Sequence, residues 1–202
     1  MPRAIGQIDR VKSEAILNAA GRILADQGFS APMSAIARAA GVSKQTIYNH
    51  FGTKSDLVRA IIARRAGVLT APLDAPGALD HPLETLQAYA RMMLELIVAP
   101  GGLSLMRLII QSSGDMPDLA RDVYDTGPKT ARARLARFLA AETKAGRLAC
   151  EDPAEAAELF TGMAIGHRQL AGLIGLPSDM DSRRMDTLAH TVATRFVRAY
   201  AP

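Results

Sequence analysis

Residues 33–57 read MSAIARAAGVSKQTIYNHFGTKSDL, and this stretch decides the fold. Two short apolar-patterned runs flank Gly41, the layout of a helix-turn-helix. Ile36, Ala37, Ala40, Val42, Ile47 and Phe51 are spaced to pin the two helices where they cross. Gly41 sits just past the first helix, where a left-handed backbone is often required and glycine adopts it at least cost. Ser43 precedes the second helix and can cap its free N–H groups. Between the packing residues lie Ser43, Lys44, Gln45, Thr46, Tyr48, Asn49 and His50. These polar or amphipathic side chains can face a DNA major groove and its phosphates.

Working outward, an amphipathic first helix ends at Gly28-Phe29. Ile36-Ala37, Gly41-Val42-Ser43, Thr46-Ile47-Tyr48-Asn49-His50-Phe51, Lys54 and Leu57 follow. Together these residues resemble the TetR family of transcriptional regulators over roughly the first third of the chain. Beyond it, the resemblance is in length and helical organisation. One departure stands out. The loop between Phe29 and Ile36 is one residue short and lacks the customary threonine cap, so the cap falls to Ser30 or Ala31, with Pro32 in the first turn.

Composition supports an all-α chain. Of 202 residues, 49% are hydrophobic but only 4% aromatic, which favours packed helices over sheet. The single cysteine, Cys150, excludes an intramolecular disulfide and a cysteine-rich metal site. Residues 1–10 contain no apolar run of the kind that opens a signal peptide. The apolar stretches are too short or too interrupted by charge to span a bilayer. A cytoplasmic protein with no membrane partner is the expectation. Positive charge is concentrated before Gly67, where Arg3, Arg10, Lys12, Arg22, Arg38, Lys44, Lys54, Arg59, Arg64 and Arg65 face only Asp9, Glu14, Asp26 and Asp56. A phosphate backbone demands that asymmetry.

Helical periodicity predicts a first helix over 9–27, with Val11, Ala15, Ile16, Ala19, Ala20, Ile23 and Leu24 on one face. A fourth helix starts after Gly52, with Thr53 as cap and Asp56 as the acidic member of a capping box. The proline- and glycine-rich stretch 70–82 reads as a loop. Further helices are predicted over 83–99, 103–112, 119–145 (with an irregularity at Gly127-Pro128), 153–175 and 182–200. The expected architecture is a homeodomain-like DNA-binding head, residues 1–66, and a larger helical bundle, residues 67–202, for ligand binding and dimerisation.

Position on the recognition helix and the family resemblance together imply roles. Lys44, Gln45 and Asn49 are candidates for base edges, because lysine reaches guanine acceptors and amides pair with adenine. Tyr48 and His50 are candidates for phosphate contacts, and Thr46 for either a backbone oxygen or a thymine methyl. Lys54, in the first turn of the fourth helix, is placed for a phosphate. The arm carrying Arg3 and Arg10 can reach the backbone or a minor groove.

One head offers few base contacts, so a homodimer on a palindromic operator in double-stranded DNA is expected. Its candidate interface is Gly162, Gly166, Leu170 and Leu173 on one late helix with Leu188, Val192 and Phe196 on the last. The resemblance further implies a small-molecule effector bound in the body that weakens DNA binding. Met92, Met93, Leu96, Met106, Ile109, Tyr124, Met163 and His167 are the candidate pocket residues, since methionine suits adaptable apolar sites. No cofactor or metal is expected.

The expected function is thus a ligand-responsive repressor, with an activator of the same family as the nearest alternative. A helical enzyme is a competing class, but the chain has no G-x-S-x-G elbow, H-E-x-x-H pair, phosphate loop or dinucleotide glycine pattern. A helical protein-interaction adaptor is the third.

Overall fold

A computed structural model describes the backbone of residues 5–178 and 180–202, and side chains from residue 10 onward within those ranges. The described residues are helical, with no strand. Arg3 lies outside them. The helices are α1 (Ile5–Gln27), α2 (Met33–Ala40), α3 (Lys44–Phe51), α4 (Lys54–Thr70), α5 (Pro82–Met93), α6 (Pro100–Ser112), α7 (Pro117–Tyr124), α8 (Thr130–Lys144), α9 (Pro153–Ile165), α10 (Arg168–Leu173) and α11 (Ser182–Ala199). Two compact units emerge. The first combines the described residues up to Arg64 with Ser104–Val123; the second combines Arg65–Leu103 with Tyr124–Pro202.

In the first unit, Ile16, Leu17, Ala20 and Leu24 of α1 pack with Ile36 and Ala37 of α2, Ile47 of α3, and Leu57, Val58 and Ile61 of α4. Leu105, Leu108, Ile109, Leu119 and Val123 complete this core, so a segment that periodicity alone grouped with the body packs here. The first helix starts at least four residues earlier than its periodicity suggests, and Val11, expected on its apolar face, is 52% exposed.

Gly41 has φ 67° and ends α2 in the left-handed conformation. The Val42 N–H donates to Ala37 O and the Gly41 N–H to Arg38 O. This paired C-terminal motif satisfies carbonyls that the helix leaves open. The start of α2 differs from expectation. Pro32 occupies the cap position and no side chain caps the helix; the Ser30 hydroxyl donates backward to Gln27 O instead.

The capping box of α4 is fully formed. The Thr53 N–H donates to Asp56 Oδ2 at 3.0 Å, and the Asp56 N–H donates to Thr53 Oγ1 at 3.1 Å.

In the second unit, stretch 70–82 contains two short 3₁₀ turns, Ala71–Asp74 and Ala78–Asp80, that drive Leu73 and Ala78 into the core. A π turn over Leu94–Val98 follows α5, and another over Asp125–Lys129 precedes α8. The second coincides with the irregularity foreseen at Gly127-Pro128, where proline lacks a backbone donor. The Arg65 guanidinium donates to the Leu96 carbonyl in the first π turn. Four rings run through the core: Tyr89 against Phe160, Phe160 edge-on to Phe196 at 5.0 Å, and Phe196 against Tyr200 at 4.5 Å. Glu142 is completely buried, and its carboxylate accepts two bonds from Arg147, at 2.7 and 3.1 Å.

The expected long helix over 153–175 is broken. Gly166 takes φ 52°, ψ −140°, a conformation open to glycine, and α10 restarts at Arg168. Gly162 and Gly166 therefore do not share one continuous helical face.

The hydrogen bonds of Thr53 hold the Asp56 carboxyl below its ordinary pKa, with Arg59 reinforcing the shift. A carboxylate depressed in the folded state adds stability above the unfolded pKa and loses it as pH falls through the folded one. The Tm advantage of the native chain over Asp56→Asn is expected to be full at neutral pH. It should shrink as pH drops below the usual aspartate range, as thermal denaturation across a pH series would read.

Candidate nucleic-acid interface

The apolar side of α3 anchors its polar side. Ile47 has no exposed surface, and burying an isoleucine side chain is worth about 1.5–3 kcal/mol. With Ile47 inward, residues 45 and 49 fall one turn apart on the opposite side, and residues 44 and 48 stand one turn apart on its flank. Lys44, Gln45 and Asn49 are exposed there and Tyr48 is 44% exposed. The sequence-predicted base-edge candidates are thus brought onto one outward surface.

Four of the predicted contacts are also paired with one another. Ser43 Oγ accepts the Thr46 N–H at 3.0 Å and lies 2.9 Å from Thr46 Oγ1. The pair caps α3, and Ser43 stays exposed at its N-terminus. Gln45 Nε2 donates to Asn49 Oδ1 at 2.8 Å. A bond of this kind one helical turn apart stabilises a helix by about 0.2–0.5 kcal/mol. His50 is half-buried, with Nδ1 3.4 Å from the hydroxyl of Ser13 on α1. Periodicity does not disclose this contact, because its partners lie 37 residues apart.

Lys54 takes a position the sequence did not foretell. Its ammonium donates to Phe29 O at 2.8 Å and Ala31 O at 2.6 Å and sits 5.4 Å from the centre of the Phe29 ring. Two of the three ammonium donors thereby hold the loop between α1 and α2, which has no capping side chain of its own. The uncapped loop and this clamp explain each other.

Further from α3, Arg59 bridges Asp56 and Asp122, each at 2.8 Å, and Arg64 bonds Glu14 and Asn18, each at 2.8 Å. Four of the basic residues counted in the opening third, Arg59, Arg64, Arg65 and Lys54, therefore serve the fold. Among the described ones, Arg10, Lys12, Arg22, Arg38 and Lys44 are exposed.

The pocket candidates are divided between the two units. Ile109 is buried in the core of the first unit and Met106 is half-buried on the same helix, while Met93 is buried in the core of the second. Met92 and Leu96 pack at that second core's edge, and Tyr124, Met163 and His167 are exposed. None of the eight lines the groove of about 710 Å³ that the second unit does contain, between Leu73–Asp80 and Arg134, Arg137, Phe138 and Ala141 of α8. That groove went unforeseen because stretch 70–82 carried no helical signal.

The interface candidates divide similarly. Val192 and Phe196, 4% and 1% exposed, belong to the core; their periodicity marked a face that packs inward on α5 and α9. They have no surface to offer a partner. Gly162, Gly166 and Leu170 are exposed, and Leu173 and Leu188 half-buried. Leu159, Met163, Ile174 and Leu176 add exposed apolar surface on and just beyond α9 and α10.

Residues 16–61 match the model for bacterial regulatory proteins of the tetR family, and residues 84–202 match that for the C-terminal domain of AefR-like transcriptional repressors. The chain belongs to the TetR family of helix-turn-helix transcriptional regulators. It is similar to the HTH-type transcriptional regulator UidR of Escherichia coli, 33% identical over 90 residues that cover 39% of this chain and 46% of UidR. BetI of Rhizobium meliloti is 40% identical over 87 residues, 42% of this chain and 43% of BetI. The chain thus spans about half the length of the curated relatives it matches. Solved structures match along nearly the whole chain. The flavonoid-responsive regulator FrrA is 34% identical, with TM-score 0.68 over 95% of this chain and 97% of its own. A TetR-family regulator from Mesorhizobium loti is 25% identical, with TM-score 0.76 over 96% and 98%. No single helix among the described residues is long and apolar enough to cross a membrane.

Replacing Lys54 with methionine keeps the aliphatic stem and removes both carbonyl bonds. The Lys54→Met chain is expected to lose about 1–3 kcal/mol of unfolding free energy without any DNA present. Urea denaturation followed by circular dichroism checks this.

Proposed function

We propose that this chain is a repressor that binds a palindromic operator as a homodimer and is released by a small-molecule inducer. The observation that carries the DNA-binding part is the outward surface of α3, where Lys44, Gln45, Tyr48 and Asn49 stand exposed over a fully buried Ile47. Gln45 and Asn49 suit base edges, and Lys44 suits guanine acceptors or phosphate. Tyr48 and His50 suit phosphates through their O–H and ring N–H. Ser43 and Thr46, at the N-terminus of α3, add hydroxyls where backbone donors already favour an anion. Lys54 has one N–H beyond its two carbonyl bonds and can offer it to the same strand. In this reading the DNA contacts come from residues up to about 66 and the effector response from residues 67–202 of a cytoplasmic protein.

Repression is favoured by the match of residues 84–202 to the C-terminal domain of AefR-like repressors. The response to a small molecule is favoured by likeness to a flavonoid-responsive regulator along most of the chain. An inducer must bind the DNA-incompetent state more tightly, and a hundredfold preference supplies about 2.7 kcal/mol of coupling. Flavonoids are therefore the first compounds to test for displacement.

Footprinting with the purified chain on DNA flanking its own gene is expected to protect a palindrome. The affinity should fall steeply with salt, and Lys44→Ala should make that dependence shallower by about one counterion. Protection without sequence preference would defeat the regulator reading.

The homodimer is favoured by the exposed Leu159, Met163, Leu170 and Ile174 on and beyond α9 and α10, an apolar surface that calls for a cover. Sedimentation at micromolar concentration is expected to give a dimer mass. Leu170→Arg combined with Ile174→Asp should shift it to monomer and cost operator affinity while leaving the Tm of the monomer unit largely in place.

A further inference from the structure

The Gln45–Asn49 bond, 2.8 Å from Nε2 to Oδ1 on the exposed side of α3, has a consequence for which base is read. We propose that Gln45 selects adenine in each operator half-site and that Asn49 is a positioning residue that fixes the direction in which the Gln45 amide faces. This rests on the DNA-binding reading of α3.

A lone glutamine amide turns about a broad, nearly two-fold terminal torsion. It presents its oxygen or its nitrogen to a base with little preference, so it discriminates weakly. The bond to Asn49 biases that freedom toward one direction. The Gln45 nitrogen is drawn toward Asn49, one turn nearer the C-terminal end of α3, and Oε1 takes the other side. Because Nε2 carries two hydrogens, one serves Asn49 and the other remains beside Oε1. What is left is an ordered edge of one donor and one acceptor.

Adenine alone matches both members of that edge in the major groove, with N7 accepting and the N6 amino group donating. Guanine shows two acceptors, N7 and O6, so Oε1 would meet a lone pair. Thymine offers an acceptor beside a methyl group, and cytosine a donor without the partner acceptor. Lys44, exposed one residue earlier, carries donors only and cannot serve the adenine amino group. Asn49 Oδ1 is already engaged by Gln45, which leaves the Asn49 amide hydrogens for a neighbouring acceptor. It does not offer adenine a free amide edge of its own.

The test uses the full chain and a pool of random-sequence duplexes, followed by anisotropy titrations on the selected operator. Each half-site is expected to carry one adenine whose change to guanine weakens binding about tenfold or more. Gln45→Ala should abolish discrimination at that position and leave the other positions as they were. Asn49→Ala should reduce the discrimination to a few-fold. Asn49→Asp keeps an accepting oxygen, so it should lose overall affinity to charge repulsion but keep the adenine preference. Direct reading of adenine by Asn49 would make Asn49→Asp as unselective as Asn49→Ala, and that result overturns the proposal. So does a selected site whose adenine preference survives Gln45→Ala, or one that survives Asn49→Ala undiminished. A chain that enriches no sequence from the pool removes the regulator reading itself, an outcome distinct from a selected site read by other residues.

Discussion

Burial of Ile47 is the constraint on which the outward side of α3 depends. α3 is only about two turns long, so it has little stability of its own, and its orientation comes from the core beneath it. Ile47 is enclosed in a core built from Ile16, Ile36, Leu57 and Ile61, which sets the rotation of the whole helix. That rotation exposes Lys44, Gln45 and Asn49 together. Gly41 at φ 67° and Ser43 at the N-terminus of α3 set where the helix begins; Ile47 sets which way it faces.

The same unit shows how a short loop is held when it lacks a capping side chain. With Pro32 at the start of α2, the backbone there gains no side-chain acceptor. Lys54 compensates from the other direction, donating to the carbonyls of Phe29 and Ala31 while its charge lies near the Phe29 ring. A cation that charge counting assigns to DNA is therefore also part of the scaffold that carries α3. Arg59 and Arg64 repeat the point through Asp122 and Glu14. Net positive charge in the first third overstates the charge available to a phosphate backbone.

The second unit is organised around aromatic packing and an ion pair whose carboxylate is buried and whose guanidinium reaches the surface. Tyr89, Phe160, Phe196 and Tyr200 link α5, α9 and α11, and Arg147 compensates the fully buried Glu142 carboxylate. Breaking such a pair from one side leaves an uncompensated charge, which is far costlier than losing a surface bridge. Val192 and Phe196 fill this core, while Leu159, Met163, Leu170, Ile174 and Leu176 stay exposed on and beyond α9 and α10, where Gly166 interrupts the helix.

The amino-acid sequence by itself determined the all-helical class, the helix-turn-helix over residues 33–57, the left-handed turn at Gly41, the caps at Ser43 and Thr53, and the break near Gly127-Pro128. Each follows from local rules, since periodicity, capping chemistry and glycine or proline backbone limits act within a few residues. Tertiary structure alone decided the partners of Lys54, the Ser13–His50 contact, the inward placement of Val192 and Phe196, and the packing of residues 104–123 with the first unit. Those outcomes depend on groups far apart in the chain, and an apolar stripe states that a face will be buried without stating against what. Whether such a stripe meets its own core or remains exposed for another chain is settled only when every other helix competes for the same contact.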